Sequence, residues 1–267
     1  MTKKDTSADM RSFGQIIRNS QVWRSIFRHS APVDRRTRVM VILSNFFLHL
    51  HPVSVNKQGI ALGYTWCMGG ITFFLFLVET ITGVLLMFYY RPVTESAYAD
   101  ILALRDVASL GVLRELHRWG AHAMVITVWL HMYRVFLTGS YKPPREFNWV
   151  IGVILMVLTL LLSFTGYLLP WDQLAMWAVT VGSNMVRAAP VLGHEGPGAQ
   201  LLTIDGISMI TSVSDARFGL LGERFIGEFA LLRFYVLHCV AIPLGASVLM
   251  AVHFWRVRKD GGISGPV

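Results

Sequence analysis

Charge is scarce in this sequence. Only 15% of its 267 residues are Asp, Glu, Lys or Arg, against about a quarter in an ordinary soluble domain. A soluble enzyme, a disordered tail and a fibrous repeat are excluded by that deficit. Cysteine is nearly absent too: Cys67 and Cys239 are the only two, both in apolar runs, so no disulfide framework is expected. The first nine residues are polar and no short apolar stretch with a cleavage site follows, so a removable secretory signal is not expected. What is plentiful is apolar surface. Hydrophobic residues make up 54% of the chain and mean hydropathy is +0.50. They gather into runs of the ~20 residues needed to cross a bilayer, which predicts an integral membrane protein.

Four spanning helices are expected: A over 64–90, B over 116–137, C over 149–169 and D over 229–255. Pro170 ends C because proline lacks the amide donor. Pro243 interrupts D, which membrane helices tolerate where neighbours satisfy the freed carbonyl. An even number of spans puts both termini on one side. Sixteen of the 24 Lys and Arg lie in 1–63, the B–C loop and the C-terminus, while the opposite face holds eight accompanied by ten acids. The positive-inside rule places both termini in the cytoplasm. The net charge of +8 therefore reports topology, and no nucleic-acid partner is expected.

Residues 1–63 read as an N-terminal interfacial segment and 64–267 as the membrane domain. Phe13, Ile16, Ile17, Trp23, Ile26 and Phe27 fall largely on one helical face, with Arg11, Arg18, Arg24 and Arg28 around it. A basic amphipathic helix lying in the lipid headgroups explains that pattern; a helix docking on a partner explains it equally. His49 and His51, beside Pro52, read as interfacial residues with no assigned role.

The membrane histidines carry the chemistry. Helix B holds His117 and His131, fourteen apart, and helix D holds His238 and His253, fifteen apart. Fourteen steps miss whole turns by about 40°, fifteen by about 60°, so each helix shows both histidines on one face, ~21 Å apart along the axis. B and D run in the same direction, which matches His117 with His238 near the outer end and His131 with His253 near the inner end. A single intramembrane histidine often makes only an interhelical hydrogen bond. Four, matched in depth on two helices, are what two stacked haems with bis-histidine ligation require, and such irons shuttle electrons without an open position for substrate.

Glycine repeats the period. Helix A has Gly69 and Gly83 and helix C has Gly152 and Gly166, each pair fourteen apart, suiting macrocycles that stand edge-on between helices; small-residue helix packing is the alternative. Together the two patterns predict an all-α membrane protein, a four-helix bundle enclosing two haems. Arg114 and Arg118 flank His117, where guanidinium forks suit haem propionates or simply an interface.

At these residues the chain becomes recognisable. RELHRWGAHAMVITVWLHMYRVFLTGSYKPPREFNWVIGV, TGYLLPWDQLAMWA, LLRFYVLHCVAIPLGASVLMAVHFW and the terminal GISGPV resemble cytochrome b. The likeness is to the four-helix cytochrome b6 of b6f-type complexes, over about 64–267. A fourth helix as the last, the fifteen-residue spacing in D and the PWDQ turn all favour that branch. The resemblance implies that His117 and His238 hold the outer haem b and His131 and His253 the inner. It further implies that Gly69, Gly83, Gly152 and Gly166 make room for the rings and that Arg114 and Arg118 meet propionates. Cys67, by itself a small buried apolar residue, stands in GYTWCMGGITFF. That segment resembles the one whose cysteine carries a haem c through a single thioether, with Arg258 facing its propionate. No CxxCH motif is present. Cys239 reads as core packing.

Two departures from the family stand out. The segment between C and D (about 178–228) is some twenty residues longer than in the family, and the N-terminal extension is also longer. Glu79 stands mid-helix in A where the family usually has glutamine. A carboxyl at that depth is costly, and so either functional or protonated and structural.

The function implied is that of the cytochrome b subunit of a quinol:cytochrome c oxidoreductase running a proton-translocating Q cycle in a bacterial inner membrane. It would work in a dimeric complex with quinol and quinone, a Rieske iron–sulfur protein, a subunit-IV-like or C-terminal cytochrome b subunit and a cytochrome c-type acceptor. It would not be active alone. A haem-b anchor of another quinone-linked dehydrogenase or reductase leaves Cys67 and PWDQ unexplained. A transporter using the histidines as a proton relay would not need depth-matched pairs, and a purely structural subunit would need no histidines at all.

Overall fold

A computed structural model describes residues 13–21, 23, 33–45 and 55–264. The chain divides into two compact units, Met1–Ser54 and Val55–Val267. In the first, α1 (Phe13–Asn19) is a single short helix with Phe13 and Ile16 exposed. It lies inside the expected amphipathic stretch, whose Arg11, Arg24, Ile26, Phe27 and Arg28 fall outside the described residues, as do His49 and His51. A second helix, α2 (Arg35–Ser44), was not expected. Asp34 starts it by accepting the Thr37 amide at 2.8 Å, the usual N-cap contact.

The second unit is built on long helices. A one-turn α3 (Leu62–Thr65) precedes α4 (Met68–Met87), and between them Trp66 and Cys67 both take left-handed φ angles near 50°. Helix A therefore has a break two residues before Gly69, where a continuous span was expected. After it, α5 (Ala97–Asp106) leads into α6 (Ala108–Leu137), a 30-residue helix beginning eight residues before the expected start of B. Helix C is α7 (Glu146–Leu168). The turn that follows is made by PWDQ: Pro170 cannot continue the helix, Trp171 takes φ 52°, and Asp172 caps α8 (Gln173–Arg187) through the Ala175 amide at 2.8 Å.

The expected C–D loop is thus partly helical. Beyond α8 it holds a two-stranded hairpin, β1 (Thr203–Ile204) and β2 (Ile207–Ser208), and α9 (Ala216–Leu221). Helix D is α10 (Glu228–Val236) and α11 (Ile242–Lys259) joined by a π-turn, Leu237–Ala241, in which the Ile242 amide donates to Leu237 O. An i→i+5 bond encloses one residue more than an α-turn and is common at functional sites. His238 sits in it, and Pro243, with no amide to give, follows. The fifteen residues from His238 to His253 thus contain one that the π-turn absorbs, and the phase of D approaches that of the fourteen-residue spacing in B.

Helix α4 packs chiefly on α6, and α7 packs on α11 and α6. Among the described residues three helices, Met68–Met87, Glu146–Leu168 and Glu228–Lys259, are long and apolar enough to cross a membrane. The fourth expected span, α6, has the length but mixes Arg114, Glu115, Arg118 and Arg134 into its sequence. Phe74, Ile81, Ile126 and Leu244 stand 59–63% exposed on these helices, the outward apolar surface expected where lipid is the solvent.

Candidate functional site

The four histidines come together in two pairs. The rings of His117 and His238 lie 6.2 Å apart between centroids and cross at 86°; those of His131 and His253 lie 6.5 Å apart and cross at 80°. Each pair joins α6 to helix D. Each of the four glycines faces one of these rings from a third or fourth helix. A Cβ on Gly83 would come within 3.1 Å of His117 Cε1, on Gly166 within 2.5 Å of His238 Cε1, and on Gly69 within 3.1 Å of His131 Cε1. Gly152 is the loosest, 3.8 Å from His253 Cε1. Gly69, Gly83 and Gly166 therefore leave room for a histidine ring where a Cβ would crowd it.

The two levels differ in what lies behind the rings. His117 Nδ1 meets Thr82 Oγ1 at 2.9 Å and Glu79 Oε2 at 3.1 Å. His238 Nδ1 meets Thr165 Oγ1 at 3.2 Å and Leu162 O at 3.1 Å. Both threonines donate their own protons to helix carbonyls, Thr82 to Val78 and Thr165 to Leu161, so they accept from the imidazole. A ring whose Nδ1–H is engaged in this way turns an unprotonated Nε2 towards its partner ring. At the other level, Nδ1 of His131 is buried without a partner, and the His253 ring is backed by the Asn148 main chain. The threonines escaped the sequence reading. Their signal is a repeated Thr-Gly, 82–83 and 165–166: the glycine admits the ring and the threonine fixes its tautomer.

Between the levels Phe76, Met124 and Ala246 form a buried apolar cluster with Leu75, Leu155, Leu158 and Met250 around it. Phe76 lies midway between Gly69 and Gly83, and Met124 midway between His117 and His131. One apolar layer thus separates the two histidine levels.

The remaining expected site residues are less gathered. Arg114 and Arg118 both pair with Glu115, at 2.8 and 2.5 Å, and Arg118 also lies over Trp119. Cys67 is exposed at the break before α4, two residues from Gly69. Arg258 is half-buried in the last turn of α11. Arg134, unremarked in the sequence, lies one turn beyond His131 with Nε buried and unpartnered, its guanidinium over the Tyr64 ring.

The family model for cytochrome b, b6 and PetB matches residues 54–261. The chain belongs to the cytochrome b family. A solved chain titled as hyperthermophilic respiratory Complex III matches with a TM-score of 0.63 and 25% identity; the match covers 76% of this chain and 49% of that one, so this chain spans about half its length. Membership makes this a membrane protein and implies haem b. The residues present fit that group. Two axial imidazoles bound to one iron at about 2 Å each set their ring centres roughly 6.3 Å apart, and the pairs stand at 6.2 and 6.5 Å. Among the described residues no three His, Cys, Asp or Glu converge as a bare-metal site.

Proposed function

We propose that this cytochrome b is the di-haem, four-span subunit of a quinol oxidoreductase complex. The observation that carries the reading is the pair of crossed, facing imidazole couples at haem-ligand spacing. When bound, the haems would pass single electrons across the membrane, from a quinol-oxidising site outside to a quinone-reducing site inside.

The chain's own residues hold and orient. His117 and His238 would grip the outer haem and His131 and His253 the inner. Thr82 and Thr165 fix the outer imidazoles through Nδ1. Gly69, Gly83, Gly152 and Gly166 put no side chain against the rings. Arg114 and Arg118 would exchange Glu115 for outer propionates, and Arg134 would take inner ones. Cys67, exposed beside the inner level, would carry a haem c by a single thioether, with Arg258 at its propionate.

A Rieske iron–sulfur protein would take one electron from each quinol. A cytochrome c-type subunit would accept it, and a subunit-IV-like or C-terminal cytochrome b subunit would complete the outer pocket. The setting would be a dimeric complex in a bacterial inner membrane, both termini cytoplasmic.

A pyridine haemochrome spectrum of the assembled complex, before and after acid-acetone extraction, tests the reading. Two extractable b haems per chain are expected, with a residual haem stain on the 30.0 kDa band that Cys67→Ala abolishes. Full extraction would remove the haem c from the proposal, and absence of b haem would overturn it.

A further inference from the structure

Three of the four histidines have neutral surroundings or nothing behind Nδ1. His238 faces a hydroxyl and a carbonyl, His253 faces the Asn148 main chain, and Nδ1 of His131 has no partner. His117 alone among them is backed by a carboxylate, Glu79, whose side chain is 14% exposed and whose Oε2 lies 3.1 Å from Nδ1. The position is built. Gly120, on the same helix as His117, leaves the notch that Glu79 Oε1 fills, and a Cβ there would overlap that oxygen. Oε1 is buried with no hydrogen-bond partner, so the carboxylate is not there to satisfy another group. Glu79 and Thr82 share one helix turn and converge on the same nitrogen.

A carboxylate that accepts a ligand imidazole's N–H makes the other ring nitrogen a stronger donor. Stronger donation favours ferric over ferrous iron, and hydrogen bonding behind an axial ligand is one of the protein's levers on haem potential.

We propose that Glu79 is a positioning residue that fixes the His117 ring and sets the outer haem at a lower midpoint potential than a neutral acceptor would. This rests on the di-haem reading above.

The test is a potentiometric titration of the b-band absorbance in the membrane-bound complex, for the parent, Glu79→Gln and Thr82→Val. Glu79→Gln is expected to move one of the two reduction waves to higher potential, leaving the other in place and haem content unchanged. Thr82→Val, which removes the hydroxyl that competes with the carboxyl group for the same N–H, is expected to move the same wave the opposite way. Waves that stay put in Glu79→Gln at full haem content overturn the inference, as do two waves moving together, which would mark general loosening. Where Glu79→Gln does not retain haem, Thr82→Val decides alone: a lowered wave supports the inference and an unmoved one overturns it. A parent complex without b-band absorbance would overturn the di-haem reading itself, a failure that cannot be mistaken for an unmoved wave.

Discussion

Alanine in place of each ring-facing glycine should grade haem retention in an order set by distance. At Gly166 the new methyl would sit 2.5 Å from His238 Cε1 and 3.1 Å from both ring nitrogens. Ordinary carbon contacts begin near 3.5 Å, so the ring would have to retreat by roughly 1 Å. An iron–imidazole bond does not stretch that far, and overpacking of this kind costs ~1–3 kcal/mol before any ligand is lost. Gly83→Ala and Gly69→Ala meet their rings at 3.1 Å and ask for a few tenths of an ångström. Gly152→Ala meets Met132 Sδ at 3.6 Å and His253 at 3.8 Å, ordinary packing distances. Haem per chain, measured as pyridine haemochrome on purified complex, should fall most for Gly166→Ala, partly for Gly83→Ala and Gly69→Ala, and little for Gly152→Ala. Equal losses at all four, or Gly152→Ala as the worst, would refute the idea that these glycines clear the imidazoles.

Crossed axial imidazoles leave the iron orbitals nearly degenerate, so oxidised complex should give strongly anisotropic low-spin electron paramagnetic resonance signals; only the compact signals of parallel ligands would contradict the 80° and 86° crossings. Deleting Val240, inside the π-turn, should convert that turn to regular α-helix and keep both haems, whereas deleting Val248, beyond it, should shift His253 off its face and lose haem. The last prediction concerns Asp215 in the long segment between C and D. Its buried carboxylate accepts His194 at 2.6 Å and caps α9 through the Phe218 amide at 2.8 Å. Burial alone would raise its pKa, but the Phe218 and His194 hydrogen bonds outweigh it and hold the pKa below the usual 3.8. Stability from a depressed carboxylate is present above that value and lost as pH falls through the lower folded one. Asp215→Ala should therefore cost about 1–3 kcal/mol near neutrality and admit protease between Pro190 and Glu228, with the difference from wild type shrinking below about pH 4.

Much of this was legible without coordinates, because helical periodicity turns spacing into direction. The fourteen-residue repeats on three helices announced a layered site, and the depth-matching of His117 with His238 followed from chain direction. What stayed hidden had specific causes. The threonines behind His117 and His238 are ordinary helix residues until a partner helix brings a ring nitrogen to them. The break at Trp66 and Cys67 carries no proline or glycine of its own. The π-turn looks in sequence like a one-residue misfit between B and D. Within the long C–D segment, helices α8 and α9 depend on the Asp172 and Asp215 caps. Such caps are visible as residue types, but which aspartate starts a helix is settled by the core in which Leu168, Val179, Leu221 and Phe234 pack these helices together.

The apolar layer of Phe76, Met124 and Ala246 has an electrical consequence. A membrane voltage falls most steeply where polar, polarisable groups are fewest, and this layer is that region. The histidine levels are ~21 Å apart on each helix, about two-thirds of the ~30 Å hydrocarbon thickness. A charge moved from one level to the other would thus cross roughly two-thirds of the voltage, worth about 1.5 kcal/mol at 100 mV. The same side chains that keep the two layers apart would make a step between them the one most sensitive to membrane energisation.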